Sequence, residues 1–278
     1  MNELLNPKGF RFELSHGVAT LTLDRPTRLN SLTFEIYQEL AAFFDVLSSY
    51  EPARVVLITG AGRGFCSGGD VQDIISELFA RDTKGLLAFT RCTGALIASV
   101  RRCRKPVIAA VNGVAVGAGA VLAAACDIRY FAQSARIGFI FPKVGLSGAD
   151  MGAIYLLPRI VGHGHASELL FTGEIIDANE AARIGLANRV FANDALMGAS
   201  SKLAMTLAEG PAFAHAMTKQ MLETESQMSL HDAIEAEAQA QTLCMLHPDF
   251  RAAYDANVSK KTALFEGSPL LAPSEDSQ

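Results

Sequence analysis

Apolar and polar residues alternate from Phe10 to Leu23, with FRFEL and VATLTL on either side of His16-Gly17. A period of two on both sides of a glycine turn predicts a β-hairpin. Asp24-Arg25-Pro26 ends it. From Thr33 to Ser49 the period lengthens: Phe34, Ile36, Leu40, Phe43, Phe44 and Leu47 recur at helical spacing. Arg54 to Thr59 (RVVLIT) is a continuous apolar run stopped by Gly60, as expected of a parallel strand buried on both faces. The same order then returns. A glycine-rich loop (60–70) leads to a helix expected from Val71 and another over 83–103. A second buried strand follows at 106–111, then a helix of small residues at 117–126. Strands are expected at 127–131 and 136–139, a loop over 145–152, and a helix opening at Ala153. This β–α–β order predicts an α/β fold.

Beyond residue 199 the strand signals stop. Helices are expected at 199–208, 212–225, 229–246 and 249–260, the third opened by a capping box at Ser229-x-x-Asp232 and the last with Pro248 in its first turn. The expected organisation is a core over 1–199, a helical region over 200–266, and a Pro/Ser-rich tail over 267–278 that frays.

With 278 residues, 50% of them hydrophobic and 19% charged, the chain can bury a full core and lacks the signature of disorder. A net charge of −5 argues against a broad nucleic-acid-binding face, while leaving room for a local basic pocket that takes a small polyanion. The most apolar stretch, Val107 to Cys126, is interrupted by glycine and polar residues and ends in Asp127, so no membrane span is expected. The N-terminus has no continuous apolar core of the secretory kind. Cysteines 66, 92, 103, 126 and 244 occur singly, without CxxC spacing, which points to reduced thiols in a cytoplasmic protein and to no metal site.

Two segments, VVLITGAGRGFCSGGDV and VIAAVNGVAVGAGAVLAAACD, share one logic: an apolar strand, a turn of small residues, then a helix. Such turns leave backbone N–H groups free at a helix start, where they can hold an anion or a developing oxyanion; taken singly, each also reads as a packing turn. There is no GxxxxGK[ST], and Gly60-Ala61-Gly62 does not continue as GxGxxG, so a nucleotide fingerprint is absent.

Together with LDRPTRLNSL (23–32) and LPRIVGHGHASELLFTGEIIDANEAARIGLANRV (157–190), the two segments resemble the crotonase superfamily, the enoyl-CoA hydratase/isomerase family, across about residues 10–200. The resemblance implies a spiral of repeated ββα units, a C-terminal helical region used in trimerisation, and an acyl-CoA thioester as substrate, with coenzyme A part of that substrate and no separate cofactor. It implies a homotrimer or a dimer of trimers. It places oxyanion-hole donors at the backbone N–H groups of Gly69 and Ala118. Approach to coenzyme A falls to Arg28, to Ser67 and Gly69 in the glycine loop, and to Lys260 near the last helix, this last from a neighbouring subunit.

The sequence also departs from that family. The two glutamates of the hydratases would fall on Val121 and Lys143, neither of which can act as the carboxylate of a water-addition pair. Asp150, nine residues before Arg159, stands where the dienoyl-CoA isomerase and 4-chlorobenzoyl-CoA dehalogenase branches carry an aspartate facing the acyl chain. It is the candidate acid/base, with a helix N-cap as the structural alternative. Asp70 reads as a cap, Asp127 as a turn residue, and His163 and His165 as surface residues of a loop. Isomerisation needs one proton shuttle, so a single carboxylate suffices; hydration needs a second group. Hydrolase or lyase chemistry of the same superfamily and a catalytically silent acyl-CoA-binding member are the alternatives.

Overall fold

A computed structural model describes residues 6–70, 74 and 76–265. The hairpin forms as β1 (Phe10–Ser15) and β2 (Val18–Leu23), and a 3₁₀ turn at Pro26–Arg28 leads to α1 (Phe34–Ser49). Then come β3 (Val55–Gly60), β4 (Gly64–Cys66), the single turn α2 (Ser76–Leu78) and α3 (Thr83–Arg102). The pattern repeats with β5 (Val107–Val111), β6 (Val114–Val116) and α4 (Ala118–Ala125), and again with β7 (Ile128–Ala132), β8 (Arg136–Gly138) and α5 (Ala153–Thr172). After these lie β9 (Ile175–Asp177), α6 (Ala178–Arg183), β10 (Arg189–Phe191), α7 (Leu196–Ala208), α8 (Ala212–Thr224), α9 (Leu230–Leu246) and α10 (Pro248–Val258).

Two sheets result. One runs β1-β2-β3-β5-β7-β10, the other β4-β6-β8-β9. Each of the pairs β3/β4, β5/β6 and β7/β8 therefore gives one strand to each sheet before a helix closes the turn. All neighbours are parallel except β1/β2 and β8/β9. The chain climbs as a spiral of ββα units.

The apolar runs explain the larger sheet. Every residue of β3 and β5 is buried, as in a strand covered on both faces. All eight residues of α4 are buried as well, and its alanines and glycine allow close packing against β4 and β6. The smaller sheet corrects the sequence reading. β4, β6 and β9 are three residues each, the first two within stretches expected as loop or turn and the last in a stretch to which no element was assigned.

The His163/His165 segment also differs from expectation: it is helical, with α5 kinked at Gly162 (φ 77). The helix expected from Val71 begins outside the described residues, as does the tail expected over 267–278. Among the described residues no helix is long and apolar enough to cross a membrane.

In the C-terminal part, α9 is opened by its capping box: Ser229 Oγ accepts from Asp232 N at 3.2 Å and donates to Asp232 Oδ2 at 2.7 Å. The helices there leave Leu222, Leu230, Ile234, Leu246, Phe250 and Val258 exposed. At the junction with the core, Asp127 does more than close a turn. Its Oδ2 accepts from Val107 N at 2.8 Å and faces the buried Lys219 ammonium at 2.8 Å, which also donates to the Val100 and Lys105 carbonyls.

Candidate active site

The site is built from three chain segments locked together by polar side chains. Leu29 and Asn30 both take left-handed backbone (φ 49 and 58), turning the chain so that Asn30 faces the glycine loop. Its carboxamide donates to the carbonyls of Ala61 at 2.9 Å and Gly64 at 2.7 Å. From the other side Asn112 accepts from Gly60 N at 3.1 Å and donates to the Gly62 carbonyl at 2.9 Å. Two asparagines from distant motifs thus satisfy carbonyl and N–H groups of one loop, between its strand pairings at Gly60 and Gly64.

The far end of the loop is held by Asp70. Its buried carboxylate accepts from Ser31 Oγ at 2.7 Å and lies 3.2 Å from the Arg25 guanidinium. Leu32 bridges Gly69 in parallel register: Leu32 N donates to the Gly68 carbonyl at 2.8 Å, and Asp70 N donates to the Leu32 carbonyl at 2.9 Å. Leu32 therefore uses the groups on either side of Gly69, and the N–H of Gly69 itself points the other way. It has no hydrogen-bond partner among the described residues.

Ala118 is the first residue of α4. Gly117 before it has φ 54 and ψ −123, a backbone conformation natural only to glycine, and its N–H donates to the Gly138 carbonyl at 2.9 Å. As the first helical residue, Ala118 has no intrahelical acceptor for its N–H. A Cβ on Gly68 would lie 3.4 Å from the Ala118 nitrogen and 3.0 Å from the Val116 carbonyl. The two turns are in direct contact, and Gly69 and Ala118 belong to one small region.

Asp150 is half-buried at the end of the loop before α5. Met151 and Gly152 after it are both left-handed (φ 51 and 84). The α5 N-cap is Gly152, with no side-chain cap bond, so Asp150 is not the cap. Burial raises its carboxyl above the usual range, partly offset by a hydrogen bond from the Met151 N–H. The nearby Cys66 thiol is pushed up to about 12 by burial and stays neutral.

The remaining expected residues separate into two groups. Arg28 is exposed beside the loop, and Ser67 Oγ donates to its carbonyl at 3.1 Å, so these two come together. Lys260 does not join them within the chain. It lies just beyond α10 in a left-handed turn, and the segment after it docks on Arg54 at the start of β3, through Arg54 Nη1 to the Phe265 carbonyl at 2.8 Å. The glycine loop leaves the other end of that strand. Of the two positions aligned with hydratase glutamates, Val121 is sealed inside α4 and Lys143 is exposed. No cluster of three or more metal-ligating side chains exists among the described residues.

A family model described as enoyl-CoA hydratase/isomerase matches residues 13–268. The chain belongs to the enoyl-CoA hydratase/isomerase family. It is 36% identical over 259 residues to the 1,2-epoxyphenylacetyl-CoA isomerase of Escherichia coli K12, covering 92% of this chain and 98% of the relative. It is 31% identical over 261 residues to the peroxisomal Delta(3,5)-Delta(2,4)-dienoyl-CoA isomerase of Arabidopsis thaliana, covering 88% and 91%. The crystal structure of a candidate enoyl-CoA hydratase from Streptomyces coelicolor A3(2) superposes with a TM-score of 0.91 at 47% identity, over 94% of this chain and 95% of that one. Fold and enzyme family are thereby fixed.

Arg25, Asn30, Ser31 and Asn112 were given no role from the sequence, although they lie inside the motifs quoted above, and Asp70 was read only as a cap.

Proposed function

We propose that this enzyme isomerises an acyl-CoA by moving a double bond, with Asp150 as its single proton carrier. The substrate thioester oxygen accepts from the N–H groups of Gly69 and Ala118. Asp150 removes a proton from the acyl chain, the C–H electrons move onto the thioester oxygen as an enolate, and the same carboxyl returns the proton to another carbon. The carboxylate is regenerated and the atoms balance. Two fixed donors stabilise the enolate more than the neutral thioester, because charge develops only in the transition state.

The observation that carries this reading is the Leu32–Gly69 bridge, which frees the Gly69 N–H beside the start of α4 while a desolvated carboxylate stands at Asp150. The dienoyl-CoA isomerase among the relatives supports a double-bond shift, and the epoxyphenylacetyl-CoA isomerase supports isomerase chemistry on an acyl-CoA more broadly. Val121 and Lys143 disfavour water addition by two glutamates and equally favour a silent acyl-CoA binder as the second reading. Coenzyme A is the handle of the substrate, its phosphates approached by Arg28, with Lys260 supplied by a neighbouring copy. The exposed apolar side chains of α8, α9 and α10 support assembly as a homotrimer or a dimer of trimers.

Ala118→Pro tests the donor pair. Proline is tolerated at a first helical position but has no N–H. Cinnamoyl-CoA bound to the wild type is expected to show a red-shifted absorbance as its carbonyl is polarised. The variant is expected to lose that shift and about 10²–10³ of kcat. An unchanged shift in the variant would remove Ala118 from the hole.

A further inference from the structure

Tyr37 lies in the first turn of α1, between Ile36 and the core position Leu40. Its position relative to the loop is fixed by the chain itself. Leu32 is bridged to Gly69, Thr33 caps the helix, and Tyr37 N donates to the Thr33 carbonyl at 3.1 Å. The ring is buried at 2% exposure and stands edge-on to Phe89, with centroids 6.5 Å apart. Its hydroxyl reaches within 3.7 Å of where a Cβ on Gly69 would sit. The other neighbour of that point is apolar, Ile74 Cδ1 at 3.8 Å. Among the described residues the hydroxyl has no hydrogen-bond partner.

We infer that Tyr37 is a specificity-determining residue whose hydroxyl donates a hydrogen bond to an oxygen on the acyl group, so that the site prefers acyl-CoA thioesters bearing a hydroxyl, epoxide or keto oxygen close to the thioester. This rests on the acyl group lying across Gly69, as in the isomerase reading above. A core tyrosine gains nothing from an unpartnered hydroxyl, since phenylalanine would fill the same volume. A plain alkyl chain seated there displaces water from the phenol and leaves it unpaired. An oxygenated chain restores the bond. Discrimination of this kind is strong because the penalty falls on the wrong ligand. Burial holds the Tyr37 phenol well above its ordinary range, reinforced by Cys66 and Asp150, so it stays a donor at every working pH.

The test compares wild type with Tyr37→Phe, which removes one oxygen and keeps the ring. Dissociation constants for butyryl-CoA, 2-hydroxybutyryl-CoA and 3-hydroxybutyryl-CoA are measured calorimetrically, together with the red shift of bound cinnamoyl-CoA. In wild type at least one hydroxyacyl ligand is expected to bind about 10-fold or more tighter than butyryl-CoA. In Tyr37→Phe that preference is expected to disappear because butyryl-CoA, no longer burying an unpaired phenol, binds tighter, while the red shift stays. A ratio unchanged by the substitution, with the red shift intact in both proteins, would overturn the role of Tyr37 and leave the oxyanion reading standing. No red shift in wild type would overturn the oxyanion reading, and this inference with it.

Discussion

Gly119 sits so close to Cys66 that a Cβ on it would lie 2.1 Å from the Cys66 carbonyl oxygen. The helix that begins at Ala118 is thus pressed against the strand that leads to the loop of Gly69. The contact is with backbone, which cannot swing aside as a side chain can. Gly119→Ala is expected to destabilise the protein by about 3 kcal/mol in urea unfolding, and to separate the two turns. A variant within about 0.5 kcal/mol of wild type would show that the two elements can part freely.

Asn30 supplies the clamp on the other side of the loop. Asn30→Ala leaves the Gly64 carbonyl without its short bond and puts alanine in a left-handed conformation that asparagine tolerates better. A loss of about 2–3 kcal/mol in unfolding free energy is expected, with kcat falling along with it as the loop loosens. Undiminished kcat in a folded variant would mean the loop needs no such support.

Lys219 places a buried ammonium on Asp127 at 2.8 Å, across the junction between α8 and the start of β7. Arg101 also reaches Asp127 at 3.5 Å and pairs with Glu223. Lys219→Met removes one partner and leaves a partly buried carboxylate short of charge, which is expected to cost about 3 kcal/mol. Activity per folded molecule should stay unchanged. A calorimetric scan with parallel kinetics checks both.

Most of the larger sheet was legible, β1 and β2 from alternation and β3 and β5 from unbroken apolar runs, with only β10 unread. Of the smaller sheet only β8 was legible. GFC, VAV and IID are too short to display alternation, and their pairing is decided by register between distant segments. Gly69, Ala118 and Asp150 were expected from the resemblance to the family, and the glycine turn before a helix expected at Ala118 forms in the fold. Tyr37 was not expected. It sits among apolar residues at helical spacing and reads as core, and only the Leu32–Gly69 bridge brings it to the site. Lys260 had no such geometry behind it: a basic residue near a helix end carries no information about what it faces.

Asp150 has a pH signature. Burial raises its carboxyl, so the ionised form is disfavoured in the folded protein relative to the unfolded chain. The raised group favours folding when protonated, and that contribution is lost as pH rises through the folded pKa. Asp150→Asn is therefore expected to be no less stable than wild type at pH 7. With Asp150 as base, kcat/KM should fall on the acid side at a pH above the ordinary carboxylate range, and this limb should vanish in the variant. A limb that persists in Asp150→Asn would assign it to another group.

In the proposed reaction Asp150 moves a proton to and from an enolate held at Gly69 and Ala118. Wild type and Asp150→Asn are incubated in deuterated water with saturated, 2-enoyl, 3-enoyl, 3,5-dienoyl and aryl acyl-CoAs, and mass spectrometry follows deuterium in the acyl group. The account predicts uptake by wild type on at least one of these thioesters, and uptake slower by about 10²–10⁴ in the variant while thioester binding is kept. Equal uptake by the two proteins would contradict it.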